Sequence, residues 1–116
     1  LAHWGKAERK FAMPELVRRL PTDTAEAAGL LDRGRIAVGL KGDLNVIDWE
    51  TLDFEAPYVI QDLPAGGKRL MQGASGYEYT IVSGEVTHEG GKPTGVLPGK
   101  LIRGQQPAPA MAIAAE

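Results

Sequence analysis

Residues 29–48 read G-L-L-D-R-G-R-I-A-V-G-L-K-G-D-L-N-V-I-D, and the hydrophobic period of the chain changes within them. Upstream, Leu16, Val17 and Leu20 recur at helical spacing, with Arg18 and Arg19 facing outward. Gly29 stands where a left-handed residue closes a helix. Downstream, Ile36, Val38 and Leu40 alternate as along a strand, residues 39–42 make a turn, and residues 44–49 are apolar on both faces. Apolarity on both faces predicts a strand covered on two sides rather than an exposed edge. The chain therefore has to be helical before residue 29 and sheet-forming after residue 36.

Local signals extend this outline. Pro14 suits a first helical turn, where its missing N–H costs nothing. Pro21 is expected to end that helix, and Asp23 with Glu26 three residues on has the pattern of a capping box opening a second one. Fifteen glycines and eight prolines point to turn-rich β structure. Short strands are expected at Tyr58-Val59-Ile60, at residues 68–72, at residues 77–82 and 85–88 around a Ser83-Gly84 hairpin turn, and at Leu101-Ile102. Residues 89–92 read as a further turn. The predicted fold class is α+β: two short N-terminal helices followed by a mostly antiparallel, β-sandwich-like set of about five or six short strands. Residues 1–30 form the helical segment, 31–104 the β domain, and 105–116 an Ala/Pro-rich tail.

Composition excludes several classes of function. A hydrophobic fraction of 43% with 24% charged residues is ordinary for a globular chain of 116 residues. Thirteen Lys+Arg against fifteen Asp+Glu give a net charge of −2, too weak a field for nucleic acid or an anionic membrane surface. Without cysteine there are no disulfides and no thiolate metal sites. No apolar run approaches the ~20 residues that span a bilayer. The segment Leu1-Ala2-His3-Trp4-Gly5 has neither region of a secretory signal. A cytoplasmic location is the expectation, and the leading Leu1 suggests a chain read from within a longer frame.

Candidate chemistry is sparse. His3 and His88 lie far apart and outside any paired metal-ligand pattern, so each reads as a structural or surface histidine. Ser75 and Ser83 sit beside glycines in turn contexts, not in G-x-S-x-G. Ala65-Gly66-Gly67-Lys68 lacks the first glycine and the Ser/Thr of a phosphate loop, since Arg69 follows, and reads as a turn into a strand. Asp48, Glu50, Asp53 and Glu55 are spaced as a solvated acidic loop. Lys68-Arg69 and Arg18-Arg19 are too short for a nucleic-acid stripe. Trp4 and Trp49 read as packing residues, Trp49 with the further option of lining an interface. No catalytic, cofactor-binding or metal residue is assigned.

Three passages nevertheless carry a family likeness. The first joins Gly29-Leu30-Leu31-Asp32-Arg33-Gly34-Arg35-Ile36 to Gly39-Leu40-Lys41-Gly42-Asp43-Leu44-Asn45-Val46-Ile47-Asp48, with Gly42 in place of the usual alanine. The second is Asp62-Leu63-Pro64-Ala65-Gly66-Gly67-Lys68-Arg69-Leu70. The third is Thr80-Ile81-Val82-Ser83-Gly84-Glu85-Val86 with Thr94-Gly95-Val96-Leu97-Pro98-Gly99-Lys100-Leu101-Ile102-Arg103-Gly104, where Ser83 replaces a common asparagine. Over about residues 13–104 the chain resembles the C-terminal region of the D-aminoacylase (N-acyl-D-amino-acid deacylase) branch of the amidohydrolase superfamily. The resemblance implies a parent enzyme whose (β/α)8 barrel holds one or two divalent ions, usually zinc, on an H-x-H, a bridging ligand, further histidines and an aspartate. All of these belong upstream of the passages seen here, so no residue inherits a catalytic role. It also implies that residues 1–30 come from the end of the barrel and that strands from the parent's N-terminus complete the small β domain.

Two functional readings follow. In the first, the chain is a non-catalytic C-terminal part of a metal-dependent amidohydrolase, zinc being held elsewhere in the parent. Its partners are the barrel and N-terminal strands, or a second copy through exposed sheet edges. In the alternative, it is a self-standing β-rich interaction module. An independent small enzyme is the least favoured.

Overall fold

A computed structural model describes residues 1–8 and 10–110, with the side chain of Trp4 left out. The six terminal residues of the Ala/Pro-rich tail lie outside the described residues. The chain opens on a π-helical turn, Ala2–Ala7, followed by α1 (Met13–Val17), a π-helical stretch (Arg18–Asp23) and α2 (Thr24–Ala27). Eight strands follow: β1 (Leu44–Ile47), β2 (Asp53–Phe54), β3 (Tyr58–Leu63), β4 (Gly67–Met71), β5 (Ala74–Ser75), β6 (Tyr77–Val82), β7 (Glu85–Glu89) and β8 (Lys92–Pro93). They form a four-stranded sheet ordered β1-β6-β7-β8 and two ribbons, β2-β5 and β3-β4. Every strand pairing is antiparallel, and one isolated parallel bridge joins Leu30 to Gln106. The α+β class with a mostly antiparallel sheet is the observed architecture.

Pro21 does not end the helix. The chain passes through it on a wider π-helical turn that accommodates the missing N–H and the bulk of the ring. Because the helix continues, Asp23 stays in the right-handed helical region and makes no side-chain cap. Thr24 Oγ1 instead donates back to the carbonyls of Leu20 and Pro21. Closure at Gly29 holds: its φ is +70°, and Leu30 N donates to Ala25 O at 2.8 Å.

The alternating stretch at residues 36–40 forms no strand. Ile36 is 88% exposed and Val38 fully so, because no neighbouring strand lies alongside to take their backbone hydrogen bonds. Leu101-Ile102 likewise remains irregular. β1 is also not covered on both faces: it forms one edge of the four-stranded sheet, with Val46 exposed. The Ser83-Gly84 turn forms as expected, and Ser83 shares the left-handed conformation with its glycine (φ +52° and +84°).

Register shows which side chains share a face. Leu44 pairs with Ile81, Val46 with Tyr79, and Ile81 with Val86, so these five side chains line one face across three strands. Among the described residues no helix makes more than passing contact with these strands, and Val46, Tyr79 and Val86 are exposed there. Among the described residues only Ala25 and Leu52 are buried hydrophobics. The accessible surface is 9099 Å², against about 6100 Å² for a compact monomer of this mass. The chain does not assemble a core of ordinary size from its own residues.

Candidate functional site

The densest polar arrangement lies where the helical segment meets the sheet. Gly34 makes the approach possible: a Cβ there would sit 2.7 Å from Ala25 Cβ and 2.8 Å from the carbonyl oxygen of Pro21, and its φ is +91°. Thr22 Oγ1 donates to Gly34 O at 2.6 Å, fastening the turn to the helix. Beside it, Arg33 grips Asp32 in a two-pronged pair, Nε to Oδ1 at 2.8 Å and Nη2 to Oδ2 at 3.0 Å. Its Nη1 also approaches Asp43 Oδ2 at 3.6 Å, and the arginine side chain is only 18% exposed. Asp43 Oδ1 accepts the N–H of Ser83 at 2.8 Å, and Gly42 O accepts that of Gly84 at 2.9 Å. Asp32, Arg33 and Asp43 thus tie the end of the helix to the β6-β7 turn.

Electrostatics follow the same contacts. Hydrogen bonding from Arg33, with the positive charges of Arg33 and Lys41, holds the Asp32 carboxyl below its usual value of 3.8, although burial opposes this. Asp32 correspondingly pushes the Arg33 guanidinium up. Asp48 is also lowered, first by the hydroxyl of Thr51 and then by the N–H of Glu50. A carboxylate depressed in the folded state stabilises at pH values above its unfolded pKa, and that contribution fades as pH falls through the lower folded value. The urea midpoint is therefore expected to hold from neutrality to about pH 5 on account of these groups and to fall below about pH 4. Asp32→Asn should flatten part of that fall; an unchanged acid limb in this variant would remove Asp32 from the account.

A second junction anchors the first helical turn. Lys6 Nζ donates to the carbonyls of Glu50 and Leu52, the latter at 3.2 Å. Asp48 Oδ1 accepts Glu50 N at 3.0 Å and Oδ2 accepts Thr51 Oγ1 at 2.8 Å, which closes the loop. Two open hollows, about 190 and 360 Å³, flank Leu52, Asp53 and Phe54.

The residues singled out from sequence do not converge. His3 belongs to the first helical turn and borders the larger hollow; His88 is on β7, opposite Thr80 and Pro93, with Nδ1 3.3 Å from Thr87 Oγ1. Ser75 Oγ donates to Thr51 O at 2.9 Å, and Ser83 occupies the hairpin turn. Asp53 accepts its neighbour Phe54 N, while Glu50 and Glu55 act through their backbones. Residues 64–66 form the β3-β4 turn, with Ala65 itself at φ +57°, and Arg69 pairs with the Asp62 carboxylate. Arg18 pairs with Asp23 at 3.5 Å; Arg19 pairs with Glu15 at 2.9 Å and lies over Phe11. Trp49 packs its ring against Gly5. Among the described residues, no group of three or more His, Cys, Asp or Glu is placed to hold a metal ion, and no helix is long and apolar enough to cross a membrane.

Sequence reasoning missed the Arg33 junction and the Lys6 anchor. The adjacent Asp32-Arg33 pair is a visible signal for the first. Nothing local marks Lys6, whose partners lie more than forty residues on.

Comparison with curated proteins and with solved structures gave no match. A family model described as the amidohydrolase family matches residues 1–88. That span contains the first helical turn, the Arg33 junction and all of the strands but β8 and the last residue of β7. With three quarters of its length inside the match, the chain belongs to the amidohydrolase family.

Proposed function

We infer that this chain is a structural C-terminal portion of a metal-dependent amidohydrolase that hydrolyses amide bonds of N-acyl-D-amino acids in the cytoplasm. The observation that carries the reading is a family member in which three of the five side chains on one apolar sheet face, Val46, Tyr79 and Val86, stand exposed among the described residues. A face of Leu44, Val46, Tyr79, Ile81 and Val86 has to be buried against another layer to stabilise a sheet. In this reading, strands from elsewhere in the enzyme supply that layer, and the unpaired edge of β1 is where they add. Residues 1–30 then belong to the end of the catalytic barrel, and residues 31–104 to the small β domain.

Enzymes of this family generally use metal ions, zinc being the proposed one here. The described residues do not fit such an ion: His3 and His88 stand on separate elements, and the nearby carboxylates are engaged in turns. No catalytic step is assigned to them. What these residues do is positional: Arg33, Asp32 and Asp43 fix the angle between helical segment and sheet.

The test mixes this chain with an N-acyl-D-amino-acid deacylase from which the corresponding C-terminal region has been deleted, and follows amine release from N-acetyl-D-methionine with zinc present. The chain alone should release none, and the mixture should recover activity in proportion to added chain. Turnover by the chain alone, or a mixture no better than the truncated enzyme, would sink the reading.

A further inference from the structure

The chain leaves the sheet at Thr94, whose N–H donates to Thr87 O at 2.9 Å and whose Oγ1 donates to Val86 O at 2.7 Å. It is next tied down at Gln106, whose N–H donates to Gly29 O and whose carbonyl accepts Leu31 N, both at 2.9 Å. Between these anchors, residues 97–103 make no hydrogen bond or ion pair with any described residue. Leu97 is 92% exposed and Leu101 78%, and Lys100 and Arg103 are exposed beside them. Backbone that is both exposed and unbonded is where endopeptidases nick a folded chain, since it can enter a protease cleft without prior unfolding.

Several other basic residues are sheltered from such an enzyme. Arg18 and Arg19 belong to the helical stretch, and Lys68 and Arg69 to β4. Lys92 precedes Pro93, a bond that endopeptidases selective for basic residues leave uncut. Arg35 and Lys41 share a loop that is closed on itself, with Leu40 N donating to Ala37 O at 3.2 Å and Lys41 N to Asp32 O at 2.9 Å. Lys100 and Arg103 have no such closure around them. What lies beyond them is held lightly. Gln106 and Pro109 are half-buried, while residues 107 and 108 between them are exposed. A Cβ on Gly29 would lie 2.7 Å from Gln105 Cγ, and one on Gly39 would meet Pro109 at 3.6 Å, which marks where the segment is seated.

We propose that residues 97–103 are a processing site for an endopeptidase selective for basic residues, and that one cut there releases the segment seated on Gly29 and Leu31. Two neutral backbone hydrogen bonds and a few side-chain contacts fall short of the translational and rotational freedom that a separate peptide loses on docking. While tethered, the same segment faces its seat at an effective concentration of roughly millimolar. The tether therefore keeps it in place, and cutting the tether lets it go. In the step itself, water adds to the carbonyl of Lys100 or Arg103 and the C–N bond to Leu101 or Gly104 breaks. The basic residue keeps a carboxylate, and both hydrogens of the water end on the new ammonium group. Release leaves Gly29 O and Leu31 N open to solvent. The connector lies beyond residue 88, where the match to the family ends, so the cut leaves the matched span whole. This inference goes beyond the scaffold reading and does not rest on it.

Trypsin at a low ratio to the native 116-residue chain, with mass spectrometry of samples taken through time, tests both halves of the proposal. The first cut is expected after Lys100 or Arg103. Gel filtration in the same buffer should then separate the released peptide from the body, and amide exchange at Leu31 should quicken by about tenfold or more. Replacing both residues, Lys100→Gln with Arg103→Gln, should slow the first cleavage by about tenfold or more with an unchanged far-UV spectrum, because trypsin then has to wait for another site to open. A first cut outside residues 97–103, a peptide that co-elutes with the body, unchanged exchange at Leu31, or a double variant cut as fast as the wild-type chain would each overturn the proposal. None of these readouts involves turnover of an N-acyl amino acid, so their failure leaves the scaffold reading standing, and the reverse also holds.

Discussion

Gly76→Ala is expected to cost this chain about 3 kcal/mol or more, a large part of the stability of any small domain. A Cβ at this position would lie 2.6 Å from Leu52 Cα, 2.7 Å from Leu52 N and 2.9 Å from Asp48 O. These are backbone atoms, so no side chain can swing away to make room. The φ of +82° adds the ordinary penalty for a left-handed residue with a side chain. Gly76 O also accepts the N–H of Asp48 at 2.8 Å, and any shift that relieves the clash lengthens that bond. Gly95 supplies the control. Its φ is +89°, but nothing lies within 4 Å of a Cβ built on it, so Gly95→Ala should cost only about 1 kcal/mol. Urea unfolding of the two variants, followed by circular dichroism, separates clash from conformation. Equal midpoints would mean that the close approach of Gly76 to Leu52 is absent in solution.

Leu52→Ala should be nearly as damaging, by about 2–3 kcal/mol. Leu52 is the most buried side chain among the described residues, at 3% exposure. The two hollows adjoin it, so the space left behind opens to water instead of closing as an empty cavity, which places the effect toward the lower part of the usual range for such truncations. Gly76 presses on the backbone of the same residue, so the two substitutions share one junction. The double variant is expected to lose less than the sum of the single losses, because each loosens what the other depends on. Strict additivity in a double-mutant cycle would show that the side chain and the backbone of Leu52 are held independently.

The parts of the fold legible in the sequence were those in which a local rule had no competitor. The Ser83-Gly84 hairpin joins two adjacent strands, and its pairing needs only neighbours in sequence. Gly29 closes its helix for the same kind of reason. Alternation misled at Ile36, Val38 and Leu40, because a strand exists only where a second strand takes its hydrogen bonds, and none is supplied there. Two-sided apolarity in β1 reads as burial, but within this chain the neighbour exists on one side only. Pro21 was read as a stop because the ring and missing N–H forbid the ordinary helical turn; a π turn was the unforeseen solution. At the candidate site, His3 and His88 stand on separate elements, the first helical turn and β7. The roles of Arg33 and Lys6 were hidden, since their partners are fixed by tertiary approach at Asp43, Glu50 and Leu52.

The bridge between Leu30 and Gln106 has a consequence for the order of assembly. Gly29 O accepts Gln106 N, and Leu31 N donates to Gln106 O, both at 2.9 Å. During synthesis the ribosome releases the helix long before the residue that completes its exit. Until then those two backbone groups have only water for company, and the cost of closing so long a loop is met by the final stitch. The end of the helix is completed only once residue 106 has been added, about eighty residues after the helix itself.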